Sequence, residues 1–201
     1  MHEDSKERIV QAALAVLSRS GPSHLGLRAV AREAGVSVGL ISHHFDGKAG
    51  LIEACIATMH ADLVARERSL GERIGASPSA EDVLGRVTRE GYRFAVKYRA
   101  LLRLLYQQVG EAGGLPRVTR TDVLAPALER WAQFVAAATG RGVVAARVAT
   151  VSVIFSIGRF GLSSATELRV ILGADASTEE AALHDTIEEH LVILVRKAIL
   201  G

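Results

Sequence analysis

A chain of 201 residues is long enough for one large domain or two small ones. Apolar residues make up 49% and charged residues 23%, a packed globular composition that sets aside a disordered chain; a formal charge of only +2 gives no sign by itself of a nucleic-acid partner. The single cysteine, Cys55, excludes a disulfide framework and suits a reducing compartment.

The opening MHEDSKERIVQ has no apolar signal core. The most apolar run, Val148 to Leu162, is bounded by Arg147 and interrupted by Arg159, too short and too charged to span a bilayer. A soluble cytoplasmic protein without membrane contact is expected.

Helical periodicity runs through nearly the whole chain. Ile9, Ala12, Ala13, Val16 and Leu17 form one face of a first helix, with Asp4 and Glu7 spaced as a capping box at its start and Gly21-Pro22 as its stop. Leu27, Val30, Ala31 and Ala34 give a short second helix ending at Gly35. Ser37 is placed as the N-cap of an equally short third helix reaching His44. A fourth begins near Lys48, carries Ile52, Cys55, Met59 and Leu63 on one side, and weakens around Gly71 and Gly75.

Four or five further helices follow. Ser79 to Asp82 opens one with Val83, Val87, Gly91 and Phe94 inward, and a short helix holds Leu101, Leu104, Leu105 and Gln108. GEAGGLP, from Gly110 to Pro116, reads as a turn-rich break. Thr119 to Asp122 resembles a capping box leading to Leu124, Leu128, Trp131 and Val135, and Gly140 and Gly142 flank the next break. VATVSVIFSI, Val148 to Ile157, is rich in β-branched residues, but no partner strand exists elsewhere; it reads as a helix apolar all round, hence buried on every side. Ser177 to Glu180 opens the last helix, striped by Leu183, Ile187, Leu191, Leu194 and Ala198.

Helix, glycine turn and short helix is the sequence form of a helix-turn-helix. Ala31 and Ala34 are small enough for the second helix to approach the third closely, and Gly35 supplies a left-handed turn. With Val36, Ile41 and Phe45 inward, Ser37, Val38, Leu40, Ser42, His43 and His44 are left outside or partly outside, beside backbone at Gly39. Apolar groups next to hydroxyls and imidazoles on an exposed helix suit a major groove, where they meet thymine methyls, base edges and phosphates.

The stretch LRAVAREAGVSVGLISHHFDGKAGLIEA, Leu27 to Ala54, resembles the DNA-binding motif of TetR-family transcriptional regulators through Ala31, Ala34-Gly35-Val36-Ser37, Gly39, Phe45, Lys48 and Leu51. Within the family, it is most similar to the choline-responsive, BetI-like branch. The motif covers roughly 45 N-terminal residues, and the rest matches only in helix number and length. Gly26 stands where the family often has a capping Thr, and His44 where a Tyr is usual. The resemblance implies that Val38, Gly39, Leu40, Ser42 and His43 face base edges, while Arg28, Ser37, His44 and Lys48 hold phosphates. It also implies a homodimer on a pseudo-palindromic operator, acting as a repressor that a small-molecule effector releases.

Zinc binding by His43 and His44 is disfavoured, because adjacent helical residues point about 100° apart and no cysteine pair supports them. No metal or cofactor is expected. Cys55, among Ile52, Ile56 and Met59, reads as an inert thiol. Lys6, Arg8, Arg19, Arg28, Arg32 and Lys48 are balanced by Glu3, Asp4, Glu7, Glu33, Asp46 and Glu53, so the first 60 residues form no basic patch and non-specific DNA affinity is expected to be modest.

The expected architecture is therefore all-α, with residues 1–47 as a three-helix DNA-binding module and 48–201 as a helical ligand-binding and dimerisation domain. Tyr92, Tyr106, Trp131 and Phe155 are candidates to line a ligand cavity, with Phe94 and Phe134 beside them. Arg159, in so apolar a helix, needs a partner: a carboxylate ligand, or an acid such as Glu167 or Glu188 across a dimer contact. The last two helices are expected to make the dimer through Gly158, Gly161, Ser156 and Ala165 and the stripe Leu183, Ile187, Leu191 and Leu194. A regulator without a small-molecule ligand stays open as an alternative. An α-helical enzyme is the weaker rival, since no Ser-His-Asp order, metal spacing or phosphate loop is found.

Overall fold

The computed structural model describes residues 2–74, 79–114, 117 and 119–200, with no account of the side chains of 2, 3, 70–74, 108, 111 and 112. In chain order the helices are α1 (His2–Ser20), a 3-10 turn (Pro22–His24), α2 (Leu27–Ala34), α3 (Val38–Phe45), α4 (Lys48–Ile74), α5 (Ala80–Lys97) and α6 (Arg99–Ala112). A π-helical turn (Thr119–Leu124), α7 (Ala125–Thr139), α8 (Val143–Gly161), α9 (Ala165–Leu172) and α10 (Glu180–Leu200) complete them. Among the described residues there is no strand, as the helical periodicity predicts.

Several boundaries differ from expectation. Helix α1 already includes His2, so Asp4 lies inside it rather than capping it. Helix α4 continues through Gly71 to Ile74; Gly75 lies outside the described residues, as do Leu115 and Pro116 of the expected turn and the side chain of Gln108. Thr119 starts a π-helical turn in place of the expected cap, and the Thr121 hydroxyl shares its one proton between the Arg117 carbonyl at 2.9 Å and Asp122 Oδ1 at 2.6 Å. Helix α9 was not anticipated, although Ser164 and Glu167 carry a legible cap: Ser164 Oγ accepts from the Glu167 amide at 3.2 Å.

Contacts group the chain into two units. The first holds Met1–Ala65 and Lys97–Leu115, the second Arg66–Val96 and Pro116–Gly201. This grouping returns α6 to the first unit, a different division from the end of the helix-turn-helix module at residue 47. In the first unit α1 lies against α2 and α6, and α2 against α3. Its core is formed by the predicted face of α1 (Ile9, Ala12, Ala13, Val16, Leu17) with Leu25, Val30, Ile41, Phe45, Leu51 and Leu101. Cys55 is fully buried there, and burial pushes its thiol up to about 11, the inert state its apolar neighbours predict.

The second unit has two buried clusters, one of Leu84, Val135, Ala146, Val195 and Ile199, the other of Tyr92, Leu168, Leu183, Ile187 and Leu191. The expected dimer stripe is thereby corrected: three of its leucine and isoleucine positions, Leu183, Ile187 and Leu191, face this unit's own core. Gly161 is likewise internal. A Cβ there would come within 2.5 Å of Ala95 Cβ, so Gly161 lets α8 approach α5 rather than another molecule. The reading of Val148 to Ile157 as buried on every side is also overturned, because Val148 is 62% and Phe155 61% exposed. Helix α8 has the length and hydropathy of a membrane-crossing helix, but its uncharged run between Arg147 and Arg159 spans only about 17 Å at 1.5 Å per residue, against roughly 30 Å of hydrocarbon.

His60, on α4, has its Nε2 buried without a hydrogen-bond partner, and burial pushes its pKa below 6.5. A histidine with a depressed pKa in the folded state takes up its proton more readily when unfolded. Stability is therefore full above the free value and falls as pH drops through it. Thermal melts from pH 8 to pH 5 should show the parent losing more stability on acidification than His60→Leu. Parallel curves for the two proteins would mean that His60 is not the group responsible.

Candidate nucleic-acid interface

Three local devices build the helix-turn-helix. Gly35 ends α2 in the left-handed conformation at φ 65°, with its amide donating to the Ala31 carbonyl. Ser37 caps α3, its Oγ accepting from the Leu40 amide at 3.2 Å. Asp46 ends α3, also left-handed at φ 51°, with its amide donating to the Ser42 carbonyl. Gly26 precedes α2 with no side-chain cap, as its lack of a hydroxyl dictates.

Ile41 and Phe45 anchor α3 inward at 0% and 6% exposure. Seven of the nine residues assigned to DNA lie on α3 or its cap; Arg28 and Lys48 open α2 and α4, and all nine belong to the first unit. Ser37, Val38, Gly39, Ser42 and His43 are exposed, and so are Arg28 and Lys48. Val38 with Ser42, and Gly39 with His43, are four apart, so they form one outward stripe. Leu40 and His44, also four apart, share a half-buried flank, and the His44 Nε2 is buried. The His43 and His44 ring centroids are 5.7 Å apart, and His44 meets Phe45 edge-on at 6.1 Å.

The surroundings hold α3 in place. Arg19 on α1 pairs with Glu33 on α2 at 2.8 Å, raising the guanidinium pKa and lowering that of the carboxyl. The Lys6 ammonium lies 5.8 Å from the centre of the Phe45 ring. At the other end of α3, a Cβ on Gly50 would fall 1.9 Å from the Phe45 carbonyl oxygen. Only glycine allows the first turn of α4 to approach the recognition helix this closely.

The candidate ligand residues are more scattered. Tyr92 is buried in the core of the second unit, its hydroxyl 2.7 Å from His184 Nδ1. Trp131 is half-buried and edge-on to Phe134 at 5.8 Å. Phe155 faces outward, and Tyr106 is exposed and belongs to the first unit. Arg159 is paired with Glu167, and its guanidinium donates to Ser163 Oγ at 2.8 Å. Glu167 is thus its partner within one chain, while Glu188 is held by Arg93 through two hydrogen bonds of 2.8 and 2.9 Å. Sequence reasoning missed the cluster of Asp62, Lys97 and Tyr98 in the first unit: Asp62 Oδ2 accepts from the Lys97 ammonium and from the Tyr98 hydroxyl, each at 2.9 Å. Thirty-five residues separate Asp62 from Lys97, so no local pattern signals it.

These observations define an all-helical protein that presents a helix-turn-helix at its N-terminal end. Residues 9–55 match the family model described as bacterial regulatory proteins, tetR family. Over this module the chain is similar to that family. Over 56 residues it is 43% identical to the HTH-type transcriptional regulator BetI of Proteus mirabilis, an alignment covering 28% of each chain. The chain spans between about a quarter and a third of the length of the BetI relatives it matches. A transcriptional regulator from Rhodococcus sp. RHA1 has the same fold, with TM-score 0.67 and 18% identity over 96% of both chains. The multidrug binding protein EbrR, in complex with malachite green, superposes with TM-score 0.53 and 22% identity over 98% of both chains. At these identities the solved structures establish the fold alone.

The Gly50 contact gives a direct test. Gly50→Ala forces a methyl into the Phe45 carbonyl and should cost about 1–3 kcal/mol or more. Gly39→Ala adds its methyl 3.9 Å from Ser37 Oγ, an ordinary contact. Thermal melts should show a large loss for the first and little change for the second.

Proposed function

We propose that this chain is a homodimeric, sequence-specific DNA-binding regulator of the cytoplasm, acting as a repressor that a small-molecule effector releases. The observation that carries the reading is the outward stripe Val38, Gly39, Ser42 and His43 on a helix whose opposite side is anchored by Ile41 and Phe45. That stripe offers a methyl-bearing group, bare backbone, a hydroxyl and an imidazole to base edges. Leu40 reaches the bases from the flank. Arg28, Ser37, His44 and Lys48 hold phosphates on either side and set the register, Ser37 through a hydroxyl proton left over from its cap. Lys48 opens α4, whose first amides add to the same anion site.

Effector release requires a ligand that prefers the conformation unable to bind DNA. Tyr92, Trp131 and Arg159 of the second unit remain the proposed ligand residues; Tyr106 belongs to the first unit, and Phe155 is assigned to the dimer face. Choline is not carried over from the BetI relatives: a quaternary ammonium needs an aromatic cage, and aromatic residues are only 4% of this chain.

The dimer is proposed to form through α8 and α10. Val144, Val148 and Phe155 on α8 and Ile193, Leu194 and Leu200 on α10 are exposed apolar residues on two neighbouring helices of one unit. Two copies of that pair make a four-helix bundle that covers this surface.

Two measurements test the reading. Site selection from random DNA should recover a two-fold symmetric sequence. Lys48→Ala should weaken binding to all sequences alike and reduce the salt slope by about 1, whereas His43→Ala should change the preferred base at one position in each half-site, at a cost of about 1–3 kcal/mol. A shifted consensus with Lys48→Ala would reverse these roles. For the dimer, Phe155→Asp should sediment as a folded monomer, because it places a charge in the covered face. Leu191→Asp should instead unfold the second unit, since Leu191 lies in its core. A folded Phe155→Asp that stays dimeric would remove α8 from the interface.

A further inference from the structure

The first unit holds a cavity of about 230 Å³, apart from the outward face of α3. One wall is a single face of α1, where Gln11, Leu14 and Ser18 recur at helical spacing. The other is the junction of α5 and α6, where Lys97, Tyr98 and Leu101 lie. Leu17 and Leu101 are almost fully buried and form an apolar floor, while Gln11, Ser18 and Lys97 are exposed at the rim.

The rim is built, not incidental. Asp62 Oδ2 holds both the Lys97 ammonium and the Tyr98 hydroxyl, fixing the two side chains against each other. The Lys97 ammonium also lies 4.8 Å from the centre of the Tyr98 ring. Asp62 takes one of the three ammonium protons and the Tyr98 oxygen a second, which leaves one N–H donor on a positioned cation. Among the described residues lining the cavity, Lys97 carries the charge.

We infer that this cavity binds a small monocarboxylate with a short aromatic or aliphatic body, its carboxylate on Lys97 and Gln11 and its body on Leu14, Leu17 and Leu101. The volume is below the roughly 300–1,000 Å³ typical of drug-sized ligands, so the occupant is of benzoate or octanoate size. A carboxylate gains charge-assisted hydrogen bonds from the ammonium, whereas an amine would meet like charge. Such a ligand bridges α1 and the start of α6 within the unit that carries the recognition helix. Its use as an effector rests on the proposed regulatory function; its binding does not.

The test is an amide chemical-shift titration of the full-length protein with benzoate and octanoate, and with octanamide as the uncharged control. The expected result is a saturable shift centred on the amides of Gln11, Leu14, Ser18 and Leu101. Lys97→Met should weaken both carboxylates roughly tenfold or more and leave octanamide unchanged, the effect of removing one charge-assisted contact. Leu14→Trp should fill the cavity and abolish all three interactions. Shifts centred in the second unit, no saturation up to the solubility limit of the probes, or an unchanged carboxylate affinity in Lys97→Met would each overturn the site. Selection of operator DNA is measured separately. Its failure would sink the regulatory reading and leave a carboxylate site standing, and the opposite pair of outcomes would do the reverse.

Discussion

An eight-residue helix does not hold its shape alone in water, since isolated helices shorter than about 12–15 residues are marginal. Helix α3 is that short, and the proposed DNA reading depends on its being rigid. Its order comes from outside. Ile41 and Phe45 bury its inner side, Ser37 satisfies an orphan amide at its start, and the turn at Gly35 fixes its direction from α2. Gly50 then lets α4 press against its last carbonyl. The polar and apolar mixture on the outer stripe is tolerated because every stabilising contact lies on the other side.

This arrangement explains why the N-terminal module is legible in sequence. Its determinants are local: a serine before a short apolar run, a glycine where a left-handed turn is required, two alanines at a close approach. Each can be read within a window of about ten residues. The second unit offers no such windows. Leu183, Ile187 and Leu191 make a correct helical stripe, but nothing in the stripe says whether its partner is the same chain or another. Val148 and Phe155 sit in a helix apolar on all sides, and the rule that such a helix is buried fails here within one chain. The capped start of α9 at Ser164 was a local signal that could have been read, yet it was hidden by the apolar run before it. The cluster at Asp62 joins residues far apart in sequence and had no signal at all.

Charge follows a different logic in the two units. In the second, arginines are tied to named acids: Arg93 and Arg89 to Glu188, Arg147 to Glu129, Arg159 to Glu167 and Arg196 to Glu81. Most of these guanidinium groups are well exposed, and such pairs contribute little each to stability. Their effect is on choice of partner. With Glu167 already on Arg159, a carboxylate effector reaching that arginine would have to displace an internal acid. Lys97 in the first unit differs, because its ammonium is held by Asp62 with donor capacity to spare.

Charge balance in the first 60 residues bears on the proposed dimer. Six basic residues meet six acidic ones there, and Arg19 is further committed to Glu33. A module with so little net attraction for phosphate gains little from the sequence-independent part of DNA binding, which grows with the number of phosphates neutralised. In the proposed reading, one such head discriminates bases better than it holds DNA. Joining two heads makes the second contact intramolecular and multiplies affinity without adding charge. The exposed apolar face of α8 and α10 is the surface proposed for that joining. In the proposed dimer that face supplies through association the affinity that a basic patch would otherwise provide, and binding depends on the spacing of two half-sites. Any ligand that alters that spacing then acts on both contacts at once.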